Sequence, residues 1–120
     1  MPTFRFREFT VYQRAREFRK LIHGYIRVFP KEQQYRLVDQ IERACASVML
    51  NIAEGSAKRS DRDFVRFLEI AIASVNEVVA GFDCAVDDSL VDEKVRLHVE
   101  ESAEVLAKQI GCFIRTLRKS

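Results

Sequence analysis

The chain has 120 residues, of which 48% are hydrophobic and 32% charged, with only four glycines and two prolines. That length fits one domain, and that composition supports a sizeable core while excluding a loop-rich or disordered chain. The net charge of +2 points by itself to no particular partner, and no apolar run approaches the ~20 residues needed to cross a bilayer.

The opening stretch, "MPTFRFREF", is basic and aromatic and lacks the apolar region and cleavage site of a signal peptide. It reads as a short N-terminal arm, about 1–9, on a single domain over residues 1–120 of a cytoplasmic protein with no membrane partner. A first helical segment follows, with Val11, Ala15, Phe18, Ile22, Tyr25 and Phe29 on one face. Steps of three and four residues define that face, and Pro30 is expected to end it. The second segment begins near Lys31 and Glu32 and repeats at Val38, Ile41, Cys45, Val48 and Ile52. The third repeats at Phe64, Leu68, Ala71, Val75, Val78, Phe82 and Ala85, with Phe67 alongside. The fourth repeats at Val95, Val99, Ser102, Leu106, Ile110, Phe113 and Leu117. No segment alternates with period two, so no strand is expected. Four helices with short joints predict an all-α fold, an antiparallel up-down-up-down four-helix bundle.

The joints carry their own signals. Ser60 followed by Asp63 resembles a capping box at the start of the third helix. Gly55 suits a left-handed position just after the second. "DDSLVDE" separates the third and fourth, its Asp and Ser side chains competing for backbone hydrogen bonds. Gly24, Gly81 and Gly111 fall inside helices, and close helix approach would account for Gly81. Cys45, Cys84 and Cys112 are odd in number, far apart and without C-x-x-C spacing, which argues against a disulfide framework or a zinc site. Lying on or beside the apolar stripes, all three read as small core residues. No metal or cofactor is implied.

The stretch "NIAEGSAKRSDRDF", residues 51–64, raises three possibilities: a phosphate loop, a catalytic Asn/Glu pair, or a turn. A phosphate loop needs G-x-x-x-x-G-K-[ST] after a strand, and "GSAKRS" has neither. The turn reading holds, with Lys58, Arg59 and Arg62 solvated around it. Winding the second segment at about 100° per residue clusters Gln40, Ser47, Asn51 and Glu54 on a narrow face, with Arg43 at its far side. Ser74 and Glu77 sit beside the core stripe of the third. Polar contacts are expected across this seam, including an Arg43–Glu77 ion pair, with Glu54 near Arg62 and Arg66. Such a seam can fix helix register or a subunit contact, or bind a ligand. A catalytic site is disfavoured, since no nucleophile, metal cluster or positioned base accompanies it.

The run "FPKEQQYRLVDQIERACASVMLNIAEGSAKRSDRDFVRFLEIAIASVNE" resembles the four-helix-bundle family of intervening-sequence proteins, encoded within insertions in bacterial large-subunit ribosomal RNA genes and elsewhere. The pattern passes through Phe29-Pro30, Glu32, Tyr35, Leu37, Gln40, Arg43-Ala44, Ser47, Asn51 to Gly55, Arg59, Phe64, Phe67-Leu68, Ala71, Ser74 and Glu77, and "FTVYQRA" fits its start. It covers roughly residues 9–80 well and the last helix by pattern. The resemblance implies an antiparallel bundle assembled as a ring-shaped homopentamer. The chain is also similar to the accessory proteins of diversity-generating retroelements, which bind nucleic acid and a reverse transcriptase; RNA or DNA and a reverse transcriptase or other protein are therefore the implied partners. It departs from those strongly basic proteins in being nearly neutral.

Charge is unevenly placed. Residues 1–36 carry nine Lys and Arg against three Asp and Glu, whereas residues 70–104 carry two against nine. In an up-down bundle, the first helix start, the second joint and the last helix end share one end. That end gathers Arg5, Arg7, Arg14, Lys58, Arg59, Arg62, Arg115, Arg118 and Lys119 as candidate nucleic-acid contacts, along with Arg16 and Arg66, diluted by Glu8, Glu17, Glu54, Asp61 and Asp63. The opposite end holds Asp83, Asp87, Asp88, Asp92 and Glu93, partly offset by Arg27, Lys31, Arg36, Lys94 and Arg96. A concentrated basic rim attracts phosphates without reading bases; the alternative is a solvated face. Phe4, Phe6 and Phe9 either stack on exposed bases or anchor the arm on a neighbouring subunit. The expectation is a non-enzymatic, homo-oligomeric binding protein. Two rivals stay open. One is a HEPN-like ribonuclease, for which Arg16 and His23 match the Arg/His spacing by what is readily chance. The other is a structural assembly protein without a nucleic-acid partner. A di-iron bundle is disfavoured, because neither His23 nor His98 has Glu three residues before it.

Overall fold

An amphipathic helix is marginal alone and depends on a partner to cover its apolar stripe. The computed structural model describes residues 3–30 and 35–119. It contains a 3₁₀ turn at Arg5–Glu8 and four helices, α1 (Thr10–Ile26), α2 (Tyr35–Ser56), α3 (Asp61–Asp87) and α4 (Glu93–Lys119). No strand occurs among the described residues, and the helices pack α1 on α2, α2 on α3, α3 on α4 and α1 on α4. None is long and apolar enough to cross a membrane among the described residues.

The joints follow local chemistry. α1 stops at Ile26, short of Pro30, because the chain tightens: Val28 N donates to Tyr25 O and Phe29 N to Ile26 O. The residue before a proline avoids the helical region, and Phe29 instead folds back to pack on Phe82 at 6.0 Å. The expected start of the second helix at Lys31 and Glu32 lies outside the described residues. Ser60 caps α3 as its sequence predicts, its Oγ accepting from Asp63 N at 3.1 Å. α3 ends with Ser89 at φ 60. There Leu90 N donates to Ala85 O and Ser89 N to Val86 O, the two bonds of a Schellman cap. Asp92 Oδ1 then caps α4 through Val95 N at 3.1 Å.

The predicted stripes largely form the core. Ile22, Val48, Ile52, Leu68, Val78, Phe82, Val99 and Ile110 are fully enclosed, each such side chain stabilising by about 1.5–3 kcal/mol. On α4 the buried face turns toward Ala103 and Ile114, leaving Ser102 and Phe113 at its border. That helix covers both α1 and α3, so its apolar face is broader than a single stripe. The cysteines divide: Cys45 is buried, but Cys84 and Cys112 are exposed, because helix rotation places both just outside the covered face.

Gly55 also departs from expectation. It lies inside α2, and no glycine among the described residues has positive φ. Its role is close approach: a Cβ there would stand 2.7 Å from Phe67 Cβ and 2.8 Å from Phe64 Cδ1. Gly81 does the same from α3, where a Cβ would meet Ile41 Cγ1 at 2.7 Å. Along this interface, residue numbers rise on α2 as they fall on α3.

Candidate nucleic-acid interface

Three rings gather the basic segments. Phe9 before α1, Phe64 in the first turn of α3 and Phe113 late in α4 meet at centroid distances of 5.9, 5.2 and 5.4 Å. The arm joins them to the end of α2: Arg5 Nη2 and Nε donate to Ser56 O at 2.7 and 3.2 Å. A helix ends in unpaired carbonyls and a negative partial charge, so a guanidinium there is a cap. These contacts bring together Arg5, Arg7, Lys58, Arg59, Arg62, Arg115, Arg118 and Lys119. Arg14 stands farther along α1 and pairs with Glu17 at 3.8 Å.

Their chemical states differ. Arg5 is half-buried with its donors committed to the cap, and its guanidinium also lies 5.6 Å from the Phe9 ring centre. Arg118 Nη2 donates to Glu69 Oε2 at 3.1 Å, and Arg115 Nη2 to Cys112 Sγ at 3.0 Å. Lys58 Nζ rests 4.9 Å from the Phe67 ring centre, and Arg7 lies 5.4 Å from that of Phe4 and 5.7 Å from that of Phe6. A ring orients a cation without neutralising it. Arg59, Arg62 and Lys119 are exposed and have no carboxylate partner among the described residues. Between α3 and α4, a groove of about 530 Å³ is lined by Arg62, Arg66 and Arg118 alongside Asp61 and Glu69. The capping role of Arg5 was missed from sequence, because nothing local links residue 5 to residue 56.

The polar seam forms between α2 and α3, with one substitution of partners. Asn51 Nδ2 donates to Ser47 O at 2.8 Å and to Ser47 Oγ at 3.0 Å. Ser47 Oγ and Ser74 Oγ are 2.8 Å apart, and Ser74 Oγ donates to Ile70 O at 3.1 Å. The arrangement that satisfies both hydroxyls runs from Asn51 to Ser47 to Ser74 to the backbone. Gln40 Nε2 reaches Glu77 Oε2 at 3.5 Å. The expected Arg43–Glu77 ion pair does not form; Arg43 Nε instead meets Asp39 Oδ2 at 3.0 Å, one turn away on its own helix, where less ordering is needed. Glu54 is exposed and makes no ion pair with Arg62 or Arg66 among the described residues. Leu50 and Ile70, each a turn from the serine pair, are 64% and 48% exposed, an apolar margin beside the polar contacts.

The rival catalytic pairing finds Arg16 exposed and His23 half-buried, with His23 Nε2 enclosed and lacking a hydrogen-bond partner among the described residues. At the far end, Arg96 meets Asp83 at 3.8 Å and Glu100 at 3.2 Å and bonds Glu93. The Glu93 hydrogen bond first, then the surrounding carboxylates, hold this guanidinium even more firmly protonated than usual.

Four packed helices with a basic end and a polar seam define an all-α helical protein. The family model described as 23S rRNA-intervening sequence protein matches residues 7–112, and the chain belongs to that family. No curated protein matches the chain. Among solved structures, a protein of unknown function from the S23 ribosomal protein family of Bacteroides thetaiotaomicron VPI-5482 is similar, with a TM-score of 0.77 and 20% identity. The match covers 88% of this chain and 98% of that one; identity this low concerns the fold alone.

Proposed function

We propose that the chain is a non-enzymatic cytoplasmic subunit of a homo-oligomer, a ring of five by the resemblance described above, that binds nucleic-acid backbone through its basic end. In this reading the helices form an antiparallel up-down-up-down bundle. The opposed numbering along α2 and α3 supports it, as does the meeting of Phe9, Phe64 and Phe113. Copies would meet along the α2–α3 seam, where Leu50 and Ile70 are exposed beside Gln40, Arg43, Glu54 and Glu77.

The observation that carries the reading is the convergence of Arg7, Lys58, Arg59, Arg62 and Lys119 on one end without carboxylate partners among the described residues. Phosphate binding to such cations releases condensed counterions, so affinity falls steeply with salt. With these side chains engaged, a single strand should show a slope of log K against log salt of about −3 to −4 per protomer. Fluorescence anisotropy with labelled oligonucleotides from roughly 50 to 300 mM salt measures it. Absence of binding at the lowest salt, or binding indifferent to salt, rejects the proposal. Light scattering tests the assembly: five copies of a 13.9 kDa chain weigh roughly 70 kDa.

A further inference from the structure

We infer that the arm from Phe4 to Arg7 is a stacking platform for unpaired bases, so that the basic end takes a single strand in preference to a duplex; this rests on the backbone-binding reading above. The three arm aromatics are in different states. Phe9 is committed to the ring cluster, and Phe6 packs edge-on against Tyr12 at 4.8 Å. Phe4 remains 57% exposed.

One exposed phenylalanine is ordinary. This one is held in place from several sides. Its ring meets Phe6 edge-on at 6.3 Å, and Phe6 is fixed by Tyr12 of α1. Gln13 Nε2 donates to Arg7 O at 3.1 Å, and Arg5 is tied to Ser56 O. The ring therefore projects from an anchored backbone, so little ordering remains to be done on binding.

Its charged neighbour completes the chemistry. The Arg7 guanidinium covers one side of Phe4 at 5.4 Å and has no carboxylate partner among the described residues. An aromatic face beside an unneutralised cation suits a nucleotide whose base is free to stack and whose phosphate lies next to it. In a duplex the base faces are already stacked on one another, so the same arm would meet only phosphates.

The test uses the full chain with a fluorescein-labelled oligodeoxythymidine, a duplex of matched charge, and an abasic strand of the same length. Wild-type protein should bind the thymidine strand more tightly than the other two at equal salt. Phe4→Leu should weaken that strand about tenfold, leave duplex and abasic binding unchanged, and keep the salt slope, since no charge is removed. Phe4→Tyr should restore tight binding. Equal thymidine-strand affinity for wild type and Phe4→Leu, with salt-dependent binding intact, overturns the platform alone. So does a Phe4→Leu loss accompanied by a fall in solution mass, which would place the ring in a contact between copies. Failure of every probe to bind at low salt overturns the backbone reading and the platform with it.

Discussion

Replacing Gly55 with alanine tests the closeness of α2 and α3 by a single methyl group. The added Cβ would sit 2.7 Å from Phe67 Cβ and 2.8 Å from Phe64 Cδ1. Phe67 Cβ is fixed to its backbone and cannot rotate away. Phe64 is only 3% exposed, with its ring held between Phe9 and Phe113. The helices must therefore separate locally, at an overpacking cost of about 1–3 kcal/mol. Alanine returns about 1 kcal/mol of helix propensity, leaving Gly55→Ala less stable by up to about 2 kcal/mol. Gly24 is the internal control, since a Cβ there meets nothing within 4 Å. Gly24→Ala keeps the propensity gain and should be more stable by about 0.5–1 kcal/mol. Urea denaturation followed by circular dichroism measures both, with unchanged m-values showing that the difference lies in stability. A Gly55→Ala protein stabilised as much as Gly24→Ala would refute the contact argument, because the added methyl would then meet no more resistance at one position than at the other.

Ser89 occupies the left-handed position of the α3 cap, at φ 60, so Ser89→Gly should raise stability by about 0.5–1 kcal/mol in the same denaturation assay. Ser60→Ala should lose about 1 kcal/mol, because Asp63 N forfeits its acceptor. A thiol reagent at about pH 8 should modify exposed Cys84 and Cys112 in the folded protein and Cys45 only after unfolding; native labelling of Cys45 by mass spectrometry would contradict its burial. Burial pushes the Cys45 thiol up from its ordinary 9.0 to about 12, against a lowering influence from Arg19 and with a raising one from Glu42. Between those values the unfolded chain holds fewer protons at this site, so its contribution to stability declines as pH rises from about 9 and levels off above about 12. Comparing the alkaline stability profile with that of Cys45→Ala isolates this contribution.

The helices were legible because their apolar spacing is set by the same winding that buries them. Val75, Val78, Phe82 and Ala85 could be placed in the core from sequence for that reason. Rotation about each helix axis was less legible. Whether Cys84 or Cys112 faces inward depends on which neighbours cover the helix margins, and a stripe drawn through Ser102 and Phe113 misses the turn toward Ala103 and Ile114. Gly55 shows a different limit. A glycine near a helix end supports both a left-handed stop and a close crossing, and only Phe64 and Phe67 arriving from α3 decide between them.

The basic end was legible in sign but not in state. Counting lysines and arginines treats each as an equal source of field, yet Arg5 is spent on the carbonyl of Ser56 and Arg118 on Glu69. A phosphate would have to displace those bonds, and Arg118 would leave a carboxylate behind. Lys58 and Arg7 are held against rings that fix their positions while preserving their charge. The effective surface is thus smaller than the sequence count and better ordered. In the oligomer proposed above, repeating a modest, preorganised set of cations would add binding through effective concentration, so that a subunit of net charge +2 would suffice to hold a polyanion.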